Sequence, residues 1–475
     1  MKGFLALMIS ALMICLAFLA GSNIKSGTAQ TGTNVIGLIT SDTNWTLANS
    51  PYTFTGPVAV NEGVTLTIEP GATIDIGTYY MQVNGTLNAV GTISNPIYFT
   101  GNSSVLSGSG YDVGSAYSRY LIIFYTSSSK WNNQTGNGCI IQNAVLNYVP
   151  IQIYQAAPKI DNNIINFNQS INSYQDAIGI VDGSAIISNN HITVHDKTFM
   201  KGISVKTYTP QTANSPVLSN NFIISINSSM GSAIYSNGNA TISDNLIAGW
   251  GNGVALDNSF LLTINNTITR NLIFGNNGSY KYGIYFESGS GAGSYQDVSL
   301  VENKAITNNS DGGIAIFTSN SNPVIMYNNI YSNQYDLYLI TSANVNASYN
   351  WWGTTNTEAI NQTIYDFYDN FNSGNVTFTP FLTEFNTEAP LCINATVGTG
   401  GSISPNGYTI ISYGDSYTVN ITPNPGYQIA DVLVNGTSVG AVNSYNLQTS
   451  MESQPFPQVL RPHLFQNFNP AFCSC

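Results

Sequence analysis

Ile160-Asp-Asn-Asn163, Ile187-Ser-Asn-Asn190, Leu218-Ser-Asn-Asn221, Ile242-Ser-Asp-Asn245, Ile268-Thr-Arg-Asn271, Leu300-Val-Glu-Asn303 and Met326-Tyr-Asn-Asn329 repeat one pattern: an apolar residue, two variable positions and an asparagine, with Asn350 closing the series. Successive asparagines lie roughly 21 to 32 residues apart, within the range of solenoid repeats. Between them run short alternating segments: Gly179-Ile-Val, Gly202-Ile-Ser-Val205, Ala233-Ile-Tyr, Gly253-Val-Ala-Leu256, Gly283-Ile-Tyr-Phe286 and Gly313-Ile-Ala-Ile316. Alternation with period two means strand, one side in and one out. Strands this short cannot bury an apolar side alone, whereas successive turns wound into a coil stack identical sides into one continuous core. The expected result is a tube of parallel sheets.

Asparagine at a fixed turn position has a physical reason. Its side chain tolerates the left-handed backbone conformation and can hydrogen-bond along the stack to its counterpart on the next coil. The series Asn163, Asn190, Asn221, Asn245, Asn271, Asn303, Asn329 and Asn350 is therefore expected to be a structural ladder that needs no ligand. Upstream, residues 52–100 alternate apolar and polar, as in Val64-Thr-Leu-Thr-Ile68, around a Pro70-Gly71 turn, and supply the first coils.

With these residues in place, the pattern resembles the right-handed parallel β-helix repeat family, the architecture of pectate lyases, over residues 40 to 385. Tyr349-Asn-Trp-Trp-Gly, Ile364-Tyr-Asp-Phe-Tyr-Asp-Asn-Phe371 and Val376-Thr-Phe-Thr-Pro-Phe381 resemble the closing segment of exported archaeal members. That resemblance implies aromatics plugging the open end of the core, as a solenoid cap does. Beyond Cys392, Gly400-Gly-Ser-Ile-Ser-Pro-Asn-Gly407, Pro423-Asn-Pro-Gly-Tyr427 and Val432-Leu-Val-Asn-Gly436 resemble the small β-grasp-like modules of the internalin B-repeat type. Gln448 to Cys475 is Pro-rich and lacks alternation, so a last strand is not expected there. The fold class expected is all-β, a right-handed parallel β-helix with a small C-terminal β module. Its parts are a signal peptide (1–29), the helix with its cap (30–385), the module (392–447) and a disordered or aberrant tail (448–475).

The chain has 475 residues, more than one compact globule usually holds. Charged residues make up 8% and the net charge is −12, so no basic stripe exists to neutralise a phosphate backbone, and nucleic acid is excluded as a partner. Residues 4–20 are apolar, follow Lys2 and precede Ser26-Gly27-Thr28-Ala29, which fits a signal peptide cut near Ala29 and places the protein outside the cell, secreted or at the cell surface. An uncleaved anchor is the alternative, and the one route to the membrane. Cys139, Cys392, Cys473 and Cys475 are too scattered for a disulfide framework or a zinc site. Glycosylation sequons recur, among them Asn44, Asn84, Asn133, Asn227, Asn265, Asn346 and Asn435.

Candidate chemistry is sparse. Pectin hydrolases of this architecture carry dense Asp clusters with Gly-His-Gly and Arg-x-Lys, none of which occurs here. His191 and His195 have no third ligand nearby and do not make a metal site. Stacking the coils places Asp257 and Glu287 at matching outward positions on neighbouring turns, roughly 5 Å apart by strand spacing. They read either as a retaining-type carboxylate pair or as two solvated edge residues. Asp244, Arg270 and Glu302 alternate in sign just before the ladder asparagine, as in a surface salt-bridge ladder. Tyr235, Tyr285 and Tyr338 recur at one outward position, where aromatics can stack on sugar rings. The expected role is a non-enzymatic surface glycoprotein with a structural, adhesive or glycan-binding function and polysaccharide or cell-envelope partners. The alternative is a polysaccharide lyase or glycoside hydrolase acting in a groove. No cofactor is implied, with calcium the ion such a lyase would use.

Overall fold

The structure, a computed structural model, describes residues 32–466 except 104–120, 172–175, 197–199, 209–213, 227–230, 258–262, 278–280, 288–294, 322, 388–390, 396, 398–399, 412–415, 435–436 and 449–457. The expected signal peptide, Asn227, Asn435, Cys473 and Cys475 lie outside the described residues. Two compact units divide after Glu384.

The larger unit is a parallel β-helix of three faces. Its first face is an 11-stranded sheet running from Thr43–Trp45 to Val324–Met326. The second and third faces join in a 23-stranded sheet, because the first two coils, Thr33–Ile39 and Tyr52–Val60, pass from one face to the other without a break. Each face contributes one inward aliphatic column. On the first, Ile141, Ile160, Ile187, Leu218, Ile242, Ile268, Leu300 and Ile325 are paired coil to coil. Ile165, Ile192, Ile223, Ile247, Ile273, Ile306 and Ile330 form the second column. Ile178, Ile203, Ile234, Val254, Ile284, Ile314, Leu337 and Ile364 form the third. These β-branched and aliphatic side chains suit the pleat and pack into one continuous core, each contributing roughly 1.5–3 kcal/mol by burial. At the corner between the second and third faces Gly253 and Gly283 are required, since a Cβ there would stand 2.4 and 2.6 Å from a carbonyl oxygen of the next coil.

The turn between the first and second faces divides the work that the sequence assigns to one residue. The left-handed position is the residue before the ladder asparagine: Asn162, Asn189, Asn220, Asp244, Arg270, Glu302, Tyr327 and Tyr349 have φ between 53° and 60°. The ladder asparagine itself is buried and makes the bonds. Each Oδ1 accepts from the Nδ2 and the backbone N–H of the asparagine one coil earlier, at 2.8–3.1 Å, from Asn163 through Asn190, Asn221, Asn245, Asn271 and Asn303 to Asn328 and Asn350. Asn329 is not a rung. Leu300 pairs with Ile325, so the repeat in that coil is Ile325-Met-Tyr-Asn328, and Met326 imitates its apolar first residue one place too late. Asn329 instead donates to the Lys304 carbonyl.

A second ladder, not foreseen from the sequence, lines the turn between the second and third faces. Asn276 Nδ2 donates to Asn309 Oδ1 at 2.7 Å, Asn309 to Asn333 at 3.0 Å, and Asn333 to Asp336 Oδ1 at 2.9 Å. Burial pushes the terminal Asp336 carboxyl up from 3.8 to about 6, against hydrogen bonds from Asn333 and Thr363 that favour its charged form. A raised carboxyl favours the neutral form in the fold, so the stability it contributes is full below pH 3.8 and is lost as pH rises to 6. Asp336→Asn, which keeps an acceptor for Asn333, is expected to be more stable than wild type by about 2–3 kcal/mol at pH 7.5 and by little at pH 4. Denaturant titrations at the two pH values check this, and an equal gain at both would contradict it.

The closing segment caps the core with Trp352, Ile360, Ile364 and Val376, all buried, and with Phe378 and Phe381 packed against them. The expected aromatic plug is thus only partial: Phe367, Tyr368 and Phe371 pack on one another and are 40, 71 and 81% exposed. Asp366 holds their turn together, accepting from the N–H groups of Tyr368 and Val376.

The smaller unit contains a five-stranded and a three-stranded sheet around Ile403, Val419, Ile421, Val432 and Leu447. A strand that the sequence does not lead one to expect falls in the tail: Gln458–Gln466 pairs with Leu391–Ala395 and Tyr427–Val434 as the central strand of the larger sheet. Pro462 obscured it, since proline is rare inside a strand.

Candidate functional site

The third face concentrates the outward chemistry. Its strands Asp176–Val181, Lys201–Lys206, Ser232–Asn237, Asn252–Leu256, Tyr282–Phe286, Gly312–Ile316 and Tyr335–Leu339 place side chains in three outward columns. The first column reads Asp176, Lys201, Ser232, Asn252, Tyr282, Gly312, Tyr335. The second reads Gly179, Ser204, Tyr235, Ala255, Tyr285, Ala315, Tyr338, Tyr365. The third continues from Lys206 and Asn237 to Asp257, Glu287 and Phe317, each following its strand by one residue. Tyr235, Tyr285 and Tyr338 therefore do share one column, and Asp257 and Glu287 do lie on adjacent turns. Gly179 aligns with Ser204, which moves that segment two residues from its place in the sequence repeat.

The lower half of this grid is charged. Asp176 accepts from Ser204 Oγ and from Lys206 Nζ, the latter at 3.1 Å. Burial alone would raise its pKa, but Lys206, Lys201 and the Ser204 hydroxyl hold it below the ordinary carboxylate value. Lys201 Nζ lies 4.1 Å from the centre of the Tyr235 ring, a cation–π contact. Burial depresses the Lys201 amine, and Asp176 opposes that shift. The Tyr235 hydroxyl donates to Asp257 Oδ2, and burial together with that carboxylate raises the phenol. Asp257 is only 6% exposed, while Glu287 is half-buried. Burial, then the neighbouring Asp257, raises the Glu287 carboxyl.

The upper half is aromatic. Tyr282 stacks on Tyr285 (centroids 5.5 Å apart, planes 6° apart) and on Tyr338 (6.3 Å, 17°), and Phe317 leans against all three. Tyr335 and Tyr365 continue the strip, with Tyr338 and Tyr365 4.7 Å apart. Gly312 makes room for Tyr282, since a Cβ there would stand 3.2 Å from its ring. The strip is apolar in body and hydroxylated at its rim, a surface suited to sugar rings and their hydroxyls.

The other singled-out residues lie elsewhere. Arg270 makes a bidentate pair with Asp244 at 2.8 and 2.9 Å on a partly exposed turn, worth at most about 1 kcal/mol, and Glu302 adds attraction without direct contact. His191 is exposed on the second face and stacks on Phe222. Among the described residues no three His, Cys, Asp or Glu side chains converge as a metal site. Cys139 is buried, with its thiol pushed up to about 11 by burial. Asn44, Asn133, Asn265 and Asn346 are exposed, whereas Asn84 is half-buried. No helix among the described residues is long and apolar enough to cross a membrane.

The residues missed from the sequence are Asp176, Lys201, Lys206, Asn252, Tyr282, Phe317, Tyr335 and Tyr365. A signal existed for four of the eight, which occupy the position just before a small residue and a β-branched one: Asp176-Ala-Ile, Lys201-Gly-Ile, Asn252-Gly-Val and Tyr282-Gly-Ile. No family model and no curated protein matches this chain.

Proposed function

We propose that this chain is an exported cell-surface protein whose rigid tube serves an adhesive, non-catalytic role and binds glycan along its third face. The observation that carries this is the outward grid, where a continuous strip of Tyr282, Tyr285, Phe317, Tyr338, Tyr335 and Tyr365 follows the tube axis beside a polar cluster. Coils repeat about every 4.8 Å, so the strip offers ring and hydroxyl contacts at a spacing suited to an extended oligosaccharide. Charge narrows the ligand. Asp176 is matched by Lys206, and Lys201 faces both Asp257 and Glu287, which leaves a carboxylate surplus that disfavours uronates.

The enzymatic reading has one observation in its favour: the depressed Lys201 amine and raised Glu287 carboxyl are an acid–base pair of the kind active sites use. Against it, Asp257 is engaged by Tyr235, and a lyase acting on uronates meets the carboxylate surplus. A glycan array probed with the full chain, followed by chromatography of the bound oligosaccharides, tests both. Binding with unchanged oligosaccharide length is the expected result. Shortened or unsaturated products lost in Glu287→Gln would establish an enzyme instead.

A further inference from the structure

The two ends of the tube are finished differently. At the far end Trp352, Ile360, Phe378 and Phe381 close the core. At the near end the first coil is bare. Its strand, Thr33–Ile39, pairs with Tyr52–Val60 and, among the described residues, with no other strand. Thr33, Val35 and Ile39 lie on its core side and are only half-buried, although Val35 and Ile39 pack against the core. Ile36 and Leu38 are 67 and 69% exposed. One coil further on, the corresponding core residues Tyr52, Phe54, Val58 and Val60 are all buried. The near end therefore leaves apolar surface in water that every later coil covers.

Proteins protect such edges with charge, proline, a bulge or a covering element. The bulge between Val35 and Gly37 is the one such device here. Residues 32–41 contain neither a charge nor a proline, and from Gln30 to Asn61 the sole charged residue is Asp42. The chain as a whole has a net charge of −12, so two copies repel one another wherever their charged surfaces meet. An uncharged apolar end is where they can approach, and a twofold axis makes one patch its own complement. Cleavage near Ala29 would leave Gln30 and Thr31 ahead of Gly32, too little chain to cover the end.

We propose that the near end of the tube docks on the same end of a second copy of this chain about a twofold axis, with Ile36 and Leu38 as its outer apolar contacts. In one respect, the removal of residues 1–29, this rests on the export reading. Because of the bulge, the contact is made by side chains more than by a continuous backbone ladder. The dimer presents the third face twice, which raises avidity for a repeating ligand.

Analytical ultracentrifugation of the exported chain, with its intact mass measured on the same sample, tests the proposal. A monomer–dimer equilibrium is expected, and dimerisation should tighten as salt screens the net charge. Ile36→Asp and Leu38→Asp change exposed side chains, should leave the melting midpoint unchanged, and are each expected to weaken the dimer about tenfold or more, since the new carboxylate enters twice across the axis. Phe371→Asp adds the same charge at the far end and should leave the dimer intact. A dimer undiminished in both near-end variants, or lost equally in Phe371→Asp, overturns the proposal. So does a monomer at every concentration: with residues 1–29 absent from the mass the proposal fails alone, and with them present their removal, as the export reading has it, fails as well.

Discussion

Asn245→Ala is expected to destabilise the tube by about 4 kcal/mol or more, a loss that few single substitutions reach. The side chain sits at the middle of the ladder and makes four buried hydrogen bonds. Its Oδ1 accepts from the Asn221 N–H and Nδ2, and its Nδ2 donates to the Leu218 carbonyl and to Asn271 Oδ1. Alanine strips the Asn221 N–H and Nδ2 of their acceptor and takes one donor each from the Leu218 carbonyl and from Asn271 Oδ1, which keeps the backbone N–H of residue 245, at about 1–3 kcal/mol for each group left unsatisfied before relaxation or entry of water reduces the sum. A paired control comes from adjacent residues of one coil. Asn328 is a rung with the same pattern of bonds, whereas Asn329 stands outside the ladder and donates to the Lys304 carbonyl. Asn328→Ala should therefore approach the loss at Asn245, and Asn329→Ala should cost about 1–2 kcal/mol. Denaturant unfolding of the three variants checks the order, and equal losses at Asn328 and Asn329 would contradict the register.

Trp250→Ala should cost about 3–5 kcal/mol through loss of buried surface and a residual cavity. Trp250 is fully buried at the corner where the second face turns into the third. Its Nε1 donates to the Ile223 carbonyl at 3.1 Å, and its backbone N–H donates to Asn276 at the start of the second ladder. Its ring lies 3.4 Å from where a Cβ of Gly202 would stand, beside Lys201, so the same side chain supports the charged half of the outward grid. Trp250→Phe restores most of the volume but takes the Nε1 donor from the Ile223 carbonyl, for an expected loss of about 1–2 kcal/mol. An alanine variant within 1 kcal/mol of wild type would mean that this corner collapses without cost and is not the support described.

These two residues also show how far the sequence carries. Asn245 is readable because its repeat recurs with one inward aliphatic residue at a constant offset, and burial forces that offset to be kept. Where a second asparagine adjoins the rung and Met326 stands beside Ile325, local pattern cannot choose between registers one residue apart. Only pairing with Leu300 decides, and that contact is non-local. The left-handed position was hidden for a related reason. Once the ladder is made, its energy holds Arg270, Glu302, Tyr327 and Tyr349 in a conformation that costs such residues about 1–2 kcal/mol in isolation.

The outward grid is harder still. Lys201, Tyr235, Asp257 and Glu287 come from four successive coils whose connecting loops differ in length, and no burial requirement keeps outward residues to a pattern. The Asp257 and Glu287 alignment was recoverable because both follow an inward residue of a Gly-Val or Gly-Ile strand. The engagement of Asp257 by Tyr235, and of Tyr235 by Lys201, is visible only once side chains have directions. The Tyr282 stack likewise depends on Gly312 and Ala315 being small on the coil between Tyr285 and Tyr338.

Glycan binding on the third face is tested most directly by calorimetric titration of the full chain with a neutral oligosaccharide selected on the array. Wild type is compared with the double variant Tyr338→Ala/Tyr365→Ala and with Thr267→Ala, an exposed change on the first face. The double variant is expected to lose affinity tenfold or more, at about 1.4–3 kcal/mol for the lost ring contacts, with Thr267→Ala unchanged. Equal affinity in all three proteins, or a loss confined to Thr267→Ala, would contradict it.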